Sequence, residues 1–472
     1  MSAAGREGEE GIDAGVLSAV IFAGLVALIP LSAVPYGSVE PWWTGLFNAA
    51  VFALAALWAV EGALAGRWLA RAHAITLPAF ALAAFAFLQS VPLPGLGTVS
   101  FDPYESRVFA LRLAAVALYA GLLLRYAATE RRLRALAVTV VCVAVVSALF
   151  GLFRRATQHE EVGFFLPLLR KGEGFAQFVS KNHFPYLAEM ALGLALGLGC
   201  WEWWRGVTRA KTLLCAAAAV PIWVALVASN SRGGLLAMLC QTLFLAVTFG
   251  AALAGARDAR RAGNFAARES FAARLARSRA ARVALAGSLL VAVVFGTVWV
   301  GGDPLAERVA SVSDEARAGA EDSWRAGRAG IWEDTWRLVE RHPLAGVGLG
   351  GYWIAVRTTH GGSGVLVPRQ AHNDYLELLA SAGVVGAALL LWFLYVFVRL
   401  ARERLRAGTP FARAVALGAL AGLFGVAVHS LFDFGLHVTS NAYVAAALVA
   451  LAAARVEDDG STRVQKTSRQ EY

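Results

Sequence analysis

"RQAHNDYLELLASAGVVGAALLLW", residues 369–392, passes without a break from a polar cluster into an apolar run. As a helix continuing to about residue 398, that run is long enough to cross the ~30 Å of hydrocarbon in a bilayer. His372, Asn373 and Asp374 stand directly in front of it. The cluster is either a polar collar that starts a helix at the lipid surface or a reactive group held there.

Runs of the same kind recur along the whole chain. The 472 residues are 58% hydrophobic and only 16% charged, with a mean hydropathy of +0.57, whereas a soluble protein carries about 25% charged residues. The composition therefore reads as a polytopic membrane protein. Inside a bilayer only helices and closed barrels satisfy the backbone. The runs are continuous and rich in Ala, Leu and Val rather than alternating in ten-residue segments, which argues against a barrel. The expected fold is all-α.

About twelve spans are expected, at roughly 15–36, 43–65, 72–91, 108–127, 134–153, 185–203, 211–228, 233–254, 282–300, 377–398, 411–431 and 437–454. This gives nine spans within 1–300, a large loop at 301–376, three spans within 377–456 and a tail at 457–472. Arginines gather in alternate connectors: four in 125–134, eight in 255–282 and five in 399–413. The positive-inside rule then places both termini in the cytoplasm and the loops 154–184 and 301–376 outside. The net charge of +10 is explained by these connectors, so no nucleic-acid partner is expected. The N-terminus "MSAAGREGEEGID" lacks a basic n-region and a cleavage site, so the first run is expected to be a retained span. Cys142, Cys200, Cys215 and Cys240 lie in or at the ends of apolar runs without metal-ligand spacing and read as small buried hydrophobes.

The loop 301–376 contains "SWRAGRAGIWEDTWRLVERHP" (323–343), with Trp324, Ile331, Trp332, Trp336 and Val339 at helical spacings. This predicts an amphipathic helix with an aromatic face, stopped by Pro343. "LAGVGLGGYW" (344–353) follows. It formally matches G-x-G-x-x-G, but no strand precedes it and no following helix is expected, so dinucleotide binding is set aside.

Four polar stretches fall at the outer ends of the expected spans. The first holds Lys181, Asn182 and His183; the second holds Arg232 in the tight turn "SNSRGGLLA". The third combines Arg325 and Arg328 with His372, Asn373 and Asp374, and the fourth, "HSLFDFGLHVTSNAY", holds His429, Asp433 and His437. Each has a plain structural alternative. An interfacial arginine snorkels to headgroups; Arg328 suits a solvated helix face; Lys181–Asn182–His183 suits a collar before the next span. Asn373 is a favoured N-cap, with Asp374 and Glu377 as acids at the positive helix end. That accounts for Asn373 and Asp374 better than for His372. His429 and Asp433, four residues apart, are expected as a pair on one helix face. Arg112, a charge inside a run, reads as a lipid-facing or intrabundle pair or as part of a transport path.

In order along the chain, "GFAQFVSKNHFPYLAEM", "SNSRGGLLA", "GRAGIWEDTW", "HPLAGVGLGGYW" and "AHNDYLELLASAGVVG" resemble the signature of the bacterial O-antigen ligase and polymerase family. The resemblance covers roughly 170–390. It implies a GT-C-type multispanning glycosyltransferase that moves a glycan from an undecaprenyl-diphosphate carrier to an acceptor hydroxyl at the periplasmic face of the inner membrane. The acceptor is the lipid A core in ligases and a second carrier-linked glycan in polymerases. No metal or other cofactor is implied. By position, Arg232 and Arg328 resemble the arginines that engage the diphosphate, and His372 resembles the histidine that activates the acceptor. The remaining polar residues, Lys181, Asn182, His183, Arg325, Asn373, His429 and Asp433, are expected to line the substrates. Ser180 stands where relatives often carry Asn, and "HSLFDFGLH" is closer to exopolysaccharide-type polymerases. A second class with about twelve spans, the lipid-linked glycan flippase, would show two similar halves and mid-membrane charges; one large loop and edge-lying polar clusters argue against it.

Chemistry is consistent with the implied roles. A diphosphate gains charge as the glycosidic bond breaks, and guanidinium forks stabilise it without a metal. A neutral imidazole, with an ordinary pKa of about 6.5, accepts a hydroxyl proton. Single displacement of this kind inverts the anomeric centre.

Overall fold

A computed structural model describes residues 3–65, 74–92, 94–95, 97–159, 166–167, 169–205, 209–261, 328–359 and 368–455. Among these the architecture is all-helical. In chain order the helices are α1 (Ala3–Ala33), α2 (Pro41–Leu64), α3 (Thr76–Gln89), α4 (Pro103–Tyr126), α5 (Glu130–Thr157), α6 (His183–Arg205), α7 (Arg209–Ala228), α8 (Arg232–Arg261), α9 (Arg328–Arg341), the single turn α10 (Tyr352–Ala355), α11 (Asp374–Ala407), α12 (Pro410–His429) and α13 (Thr439–Ala453). Eight of them are long and apolar enough to cross a membrane, while Thr76–Gln89, Arg232–Thr248 and Thr439–Ala453 are shorter apolar segments. At 1.5 Å per residue, α3 and α13 measure only about 20–23 Å, short of the runs expected there. The expected span 282–300, Trp324, Arg325, much of the loop 301–376 and the tail 457–472 lie outside the described residues.

The chain divides into two compact units, Met1–Val143 with Ser313–Ala412 and Ser430–Tyr472, and Ala144–Val312 with Arg413–His429. In the first, α4 packs on α2, α3 and α13, and α11 packs on α3, α9 and α13. Two buried phenols between these apolar surfaces are paired, as burial requires. Tyr119 donates to the Leu25 carbonyl at 2.8 Å, Tyr443 donates to Asn48 Oδ1 at 3.0 Å, and the rings of Tyr119 and Tyr443 stack at 4.7 Å.

α11 is broken at Gly383, whose φ of 60° and ψ of −156° are not helical. The break frees carbonyls, and the segment after α9 covers them. Val347 N donates to Ala380 O at 3.0 Å, Gly348 N to Ser381 O at 2.9 Å, and in return Val384 N donates to Pro343 O at 2.9 Å. Gln89 completes the dock, donating to Ala345 O at 2.6 Å and Ser381 O at 2.9 Å and accepting from Leu349 N at 3.1 Å. Broken backbone at membrane depth is tolerated only where protein satisfies it, and here a glycine-rich loop does so. Gly346 has a φ of +67°, and a Cβ there would lie 2.3 Å from the Ser381 carbonyl carbon. The glycines of 344–353 thus permit close docking of loop on helix. The turn α10 does follow them, against expectation, but the loop leaves from a helix, not a strand.

α9 is amphipathic and ends at Arg341, just before Pro343, as expected. Its buried face is Ile331, Thr335, Leu338 and Val339, while Trp336 is half exposed. Aliphatic and small residues at i, i+4, i+7 and i+8 make the contact; of the expected face Ile331 and Val339 are buried, and Trp332 turns inward, donating from Nε1 to the Ala371 carbonyl at 3.0 Å.

In the second unit α6 packs on α7 and α8, and α6 meets α12 through small residues. A Cβ on Gly193 would lie 2.5 Å from the Gly422 nitrogen, and one on Gly197 would lie 2.6 Å from Gly418 Cα. Paired glycines one turn apart let two membrane helices approach backbone to backbone. Arg154 at the end of α5 holds the following loop, donating to the carbonyls of Arg170, Glu173 and Ala176 at 2.8, 2.8 and 3.1 Å.

Candidate functional site

The site in the first unit is built on the start of α11. Asn373 is the N-cap; its side-chain oxygen accepts from Tyr375 N at 3.1 Å and Leu376 N at 3.0 Å, satisfying two donors that a helix start leaves open. One residue earlier the backbone of His372 is left-handed, with φ of 51°, a conformation that costs a non-glycine side chain free energy and that surrounding contacts must enforce. Those contacts are present. The Ala371 nitrogen donates to Glu377 Oε2 at 2.7 Å, and its carbonyl takes the Trp332 hydrogen bond. Beyond the cap, the Asp374 nitrogen donates to the Ser430 carbonyl at 2.9 Å. That bond draws the connector between α12 and α13 onto the helix start.

Asp433, on this connector, is almost wholly buried and serves two partners. Its Oδ2 lies 3.5 Å from an Arg328 guanidinium nitrogen, and its Oδ1 lies 3.4 Å from His372 Nδ1. Oδ1 also accepts from the Phe434 nitrogen at 2.9 Å, which fixes the carboxylate plane. The side chains of Arg328 and His372 are 38% and 35% exposed against 3% for Asp433, so two accessible groups stand over one buried anion. The Phe434 ring meets the His372 ring edge-on at 4.8 Å. The Nδ1 contact is longer than a well-formed hydrogen bond, and His372 Nδ1 is buried without a hydrogen-bond partner.

Next to this group, His437 Nε2 lies 3.6 Å from Asp374 Oδ1 and 3.9 Å from Glu377 Oε1. Deeper in the same unit, the phenol of Tyr352 lies 2.7 Å from Thr335 Oγ1. Because the Thr335 hydrogen is given to the Ile331 carbonyl at 2.6 Å, the phenol is the donor. Burial, followed by the nearby Glu377 and Asp334 carboxylates, pushes the Tyr352 phenol above its ordinary value.

The second unit holds the other expected residues. Arg232 opens α8 behind a left-handed Asn230 (φ 54°), with Ser231 Oγ accepting from Gly234 N at 3.2 Å. Lys181 and Asn182 are half-buried and His183, the first residue of α6, is buried. His429 is buried in the interior against Glu189, at 2.9 Å, with Tyr186 stacked on its ring at 4.2 Å. The expected His429–Asp433 pair is thus corrected. α12 ends at His429, so Asp433 is no longer on its helical face, and each residue finds a partner distant in sequence.

Sequence reasoning missed Glu189 as a partner. The available signal was a lone acid inside the apolar run that follows Phe184, which a membrane interior requires to be paired.

Residues 217–391 match the family model described as O-Antigen ligase. The match contains Arg232, Arg328, the glycine-rich loop and His372, and it stops before His429 and Asp433. No curated protein matches the chain. Over residues 217–391 the chain is thus similar to the O-antigen ligase family, and it carries multiple helices long and apolar enough to cross a membrane.

Proposed function

We propose that the chain transfers a glycan from an undecaprenyl-diphosphate carrier to an acceptor hydroxyl at the periplasmic face of the bacterial inner membrane, with inversion and without a metal. In this reading both termini are cytoplasmic and the loop 301–376 is periplasmic. The ligase form, with a lipid A core acceptor, is the first assignment, and a polymerase joining carrier-linked repeat units is the second.

The observation that carries the reading is the sharing of buried Asp433 by Arg328 and His372. A carboxylate at Nδ1 keeps the ring proton there and leaves Nε2 as the acceptor, and it stabilises the imidazolium that forms. The acceptor hydroxyl oxygen attacks the anomeric carbon, its proton passes to His372 Nε2, and the bond to the diphosphate oxygen breaks with the electron pair leaving on the diphosphate. Arg328, accessible and already oriented, meets that growing charge as a planar fork. By the resemblance Arg232 is assigned to the diphosphate, and Lys181, Asn182, His183 and Asn373 are assigned to the substrate path.

The test is transfer by the purified protein from an undecaprenyl-diphosphate-linked repeat unit. Lipid A core and a second carrier-linked unit are offered as competing acceptors. Capped core supports the ligase, and carrier-linked chains of rising length support the polymerase. Undiminished transfer by folded His372→Ala and Arg328→Ala would remove the mechanism.

A further inference from the structure

Two segments meet at the site, and each carries one imidazole and one carboxylate: His372 with Asp374, and Asp433 with His437. They pair crosswise. His372 faces Asp433 at 3.4 Å, and His437 faces Asp374 at 3.6 Å. Phe434 lies between the pairs, edge-on to His372 at 4.8 Å and to His437 at 6.0 Å. Only the first pair is used by the proposed chemistry.

The second pair has a further attachment. Arg112 lies inside the membrane-crossing helix α4, where an arginine is costly unless satisfied. Its guanidinium donates to the main-chain carbonyl of His437. His437 is therefore held at both ends, its backbone by α4 and its ring by the first turn of α11. The connector it terminates has one short 3-10 turn, Gly435–His437, as its regular structure. Earlier in that connector is Asp433, whose two carboxylate oxygens must stay in reach of two different side chains.

We propose that Arg112 and His437 are positioning residues for the transfer reaction, acting through Asp433. They clamp the end of the α12–α13 connector against α4 and α11, so that the Asp433 carboxylate stays between Arg328 and His372. Neither touches His372. The proposal rests on the assignment of His372 as the base, and it gives the intramembrane arginine a role in catalysis rather than in transport.

The experiment compares Arg112→Met, His437→Phe, Arg112→Lys, His437→Gln and His372→Ala in nanodiscs. The donor is an undecaprenyl-diphosphate-linked repeat unit isolated from the producing cells. Arg112→Met and His437→Phe are expected to lower kcat tenfold or more, with the donor KM within twofold of the parent and an unchanged melting midpoint. Arg112→Lys and His437→Gln keep a hydrogen-bond donor in altered geometry and are expected to fall between those variants and the parent. A merely structural role would lower the melting midpoint and leave kcat per folded molecule alone. Parental kcat in whichever pair folds overturns the proposal, as does a loss confined to KM. Parental kcat in His372→Ala would instead overturn the base assignment beneath it.

Discussion

Asp433 and His372 are separated along the chain by two long helices, yet Oδ1 of one lies 3.4 Å from Nδ1 of the other. In the proposed mechanism that carboxylate keeps the ring proton on Nδ1. Asp433→Asn keeps the shape and removes the charge, so kcat is expected to fall on the order of 10²-fold, at the lower end of general-base effects. The donor KM is expected to change little, and steady-state transfer kinetics at matched amounts of folded protein check this.

Arg328 is expected to behave differently. Losing one preorganised donor at a developing anion costs on the order of 10²–10³ in kcat. Arg328→Ala should show a loss in that range, and Arg328→Lys should recover only part of it, because an ammonium cannot reproduce the fork. Equal activity of the lysine variant and the parent would show that charge alone suffices.

The Glu189–His429 pair offers a stability test free of catalysis. Both side chains are essentially inaccessible, and removing one partner of a buried pair costs about 3–5 kcal/mol. Glu189→Leu and His429→Leu are each expected to lower the melting midpoint strongly, and the double variant to lie well above the sum of the two losses. Differential scanning in one detergent measures the cycle.

At the α6–α12 crossing there is no room for a side chain. Gly193→Leu is expected to destabilise the second unit by at least the ~1–3 kcal/mol typical of overpacking, since the obstacle is backbone of the partner helix. A lower melting midpoint, with loss of the folded peak in size-exclusion chromatography, is the readout.

Tyr352 predicts an alkaline effect. Its phenol is raised above the ordinary value near 10 by burial, so the folded state holds that proton more tightly than the unfolded chain. This contribution is complete below about pH 10 and is lost as pH rises beyond it. Tyr352→Phe, which gives up one hydrogen bond for about 1 kcal/mol, should flatten that part of the stability profile above pH 10.

The all-helical architecture was legible because apolar runs of span length admit few alternatives, and the α11 start was legible because Asn373, Asp374 and Glu377 form a local cap pattern. His372 and Arg328 are singled out by the resemblance, since pattern alone leaves Arg328 as a solvated helix charge, and the structure brings them to one carboxylate. The identity of that carboxylate was not legible. Helical periodicity assigned Asp433 to His429, but periodicity holds only while the helix lasts, and α12 stops at His429. Glu189, Gln89 and the partner of Arg112 were hidden for a related reason. Each of Glu189, Gln89 and Arg112 is a single polar residue in an apolar run, and its partner is set by how helices pack rather than by neighbours in the chain.

The break at Gly383 has a mechanical consequence. A rod that crosses the bilayer tilts to match the thickness of the surrounding lipid, and an unbroken α11 would carry that tilt directly to His372. Here the 343–348 segment bonds both sides of the break, Ala380 and Ser381 ahead of it and Val384 and Val385 behind it, while Leu391, Leu394 and Tyr395 farther along are exposed. By holding both sides of the break, the loop anchors the reactive tip separately from the exposed shaft farther along, so the spacing of His372 and Asp433 should be insulated from bilayer thickness.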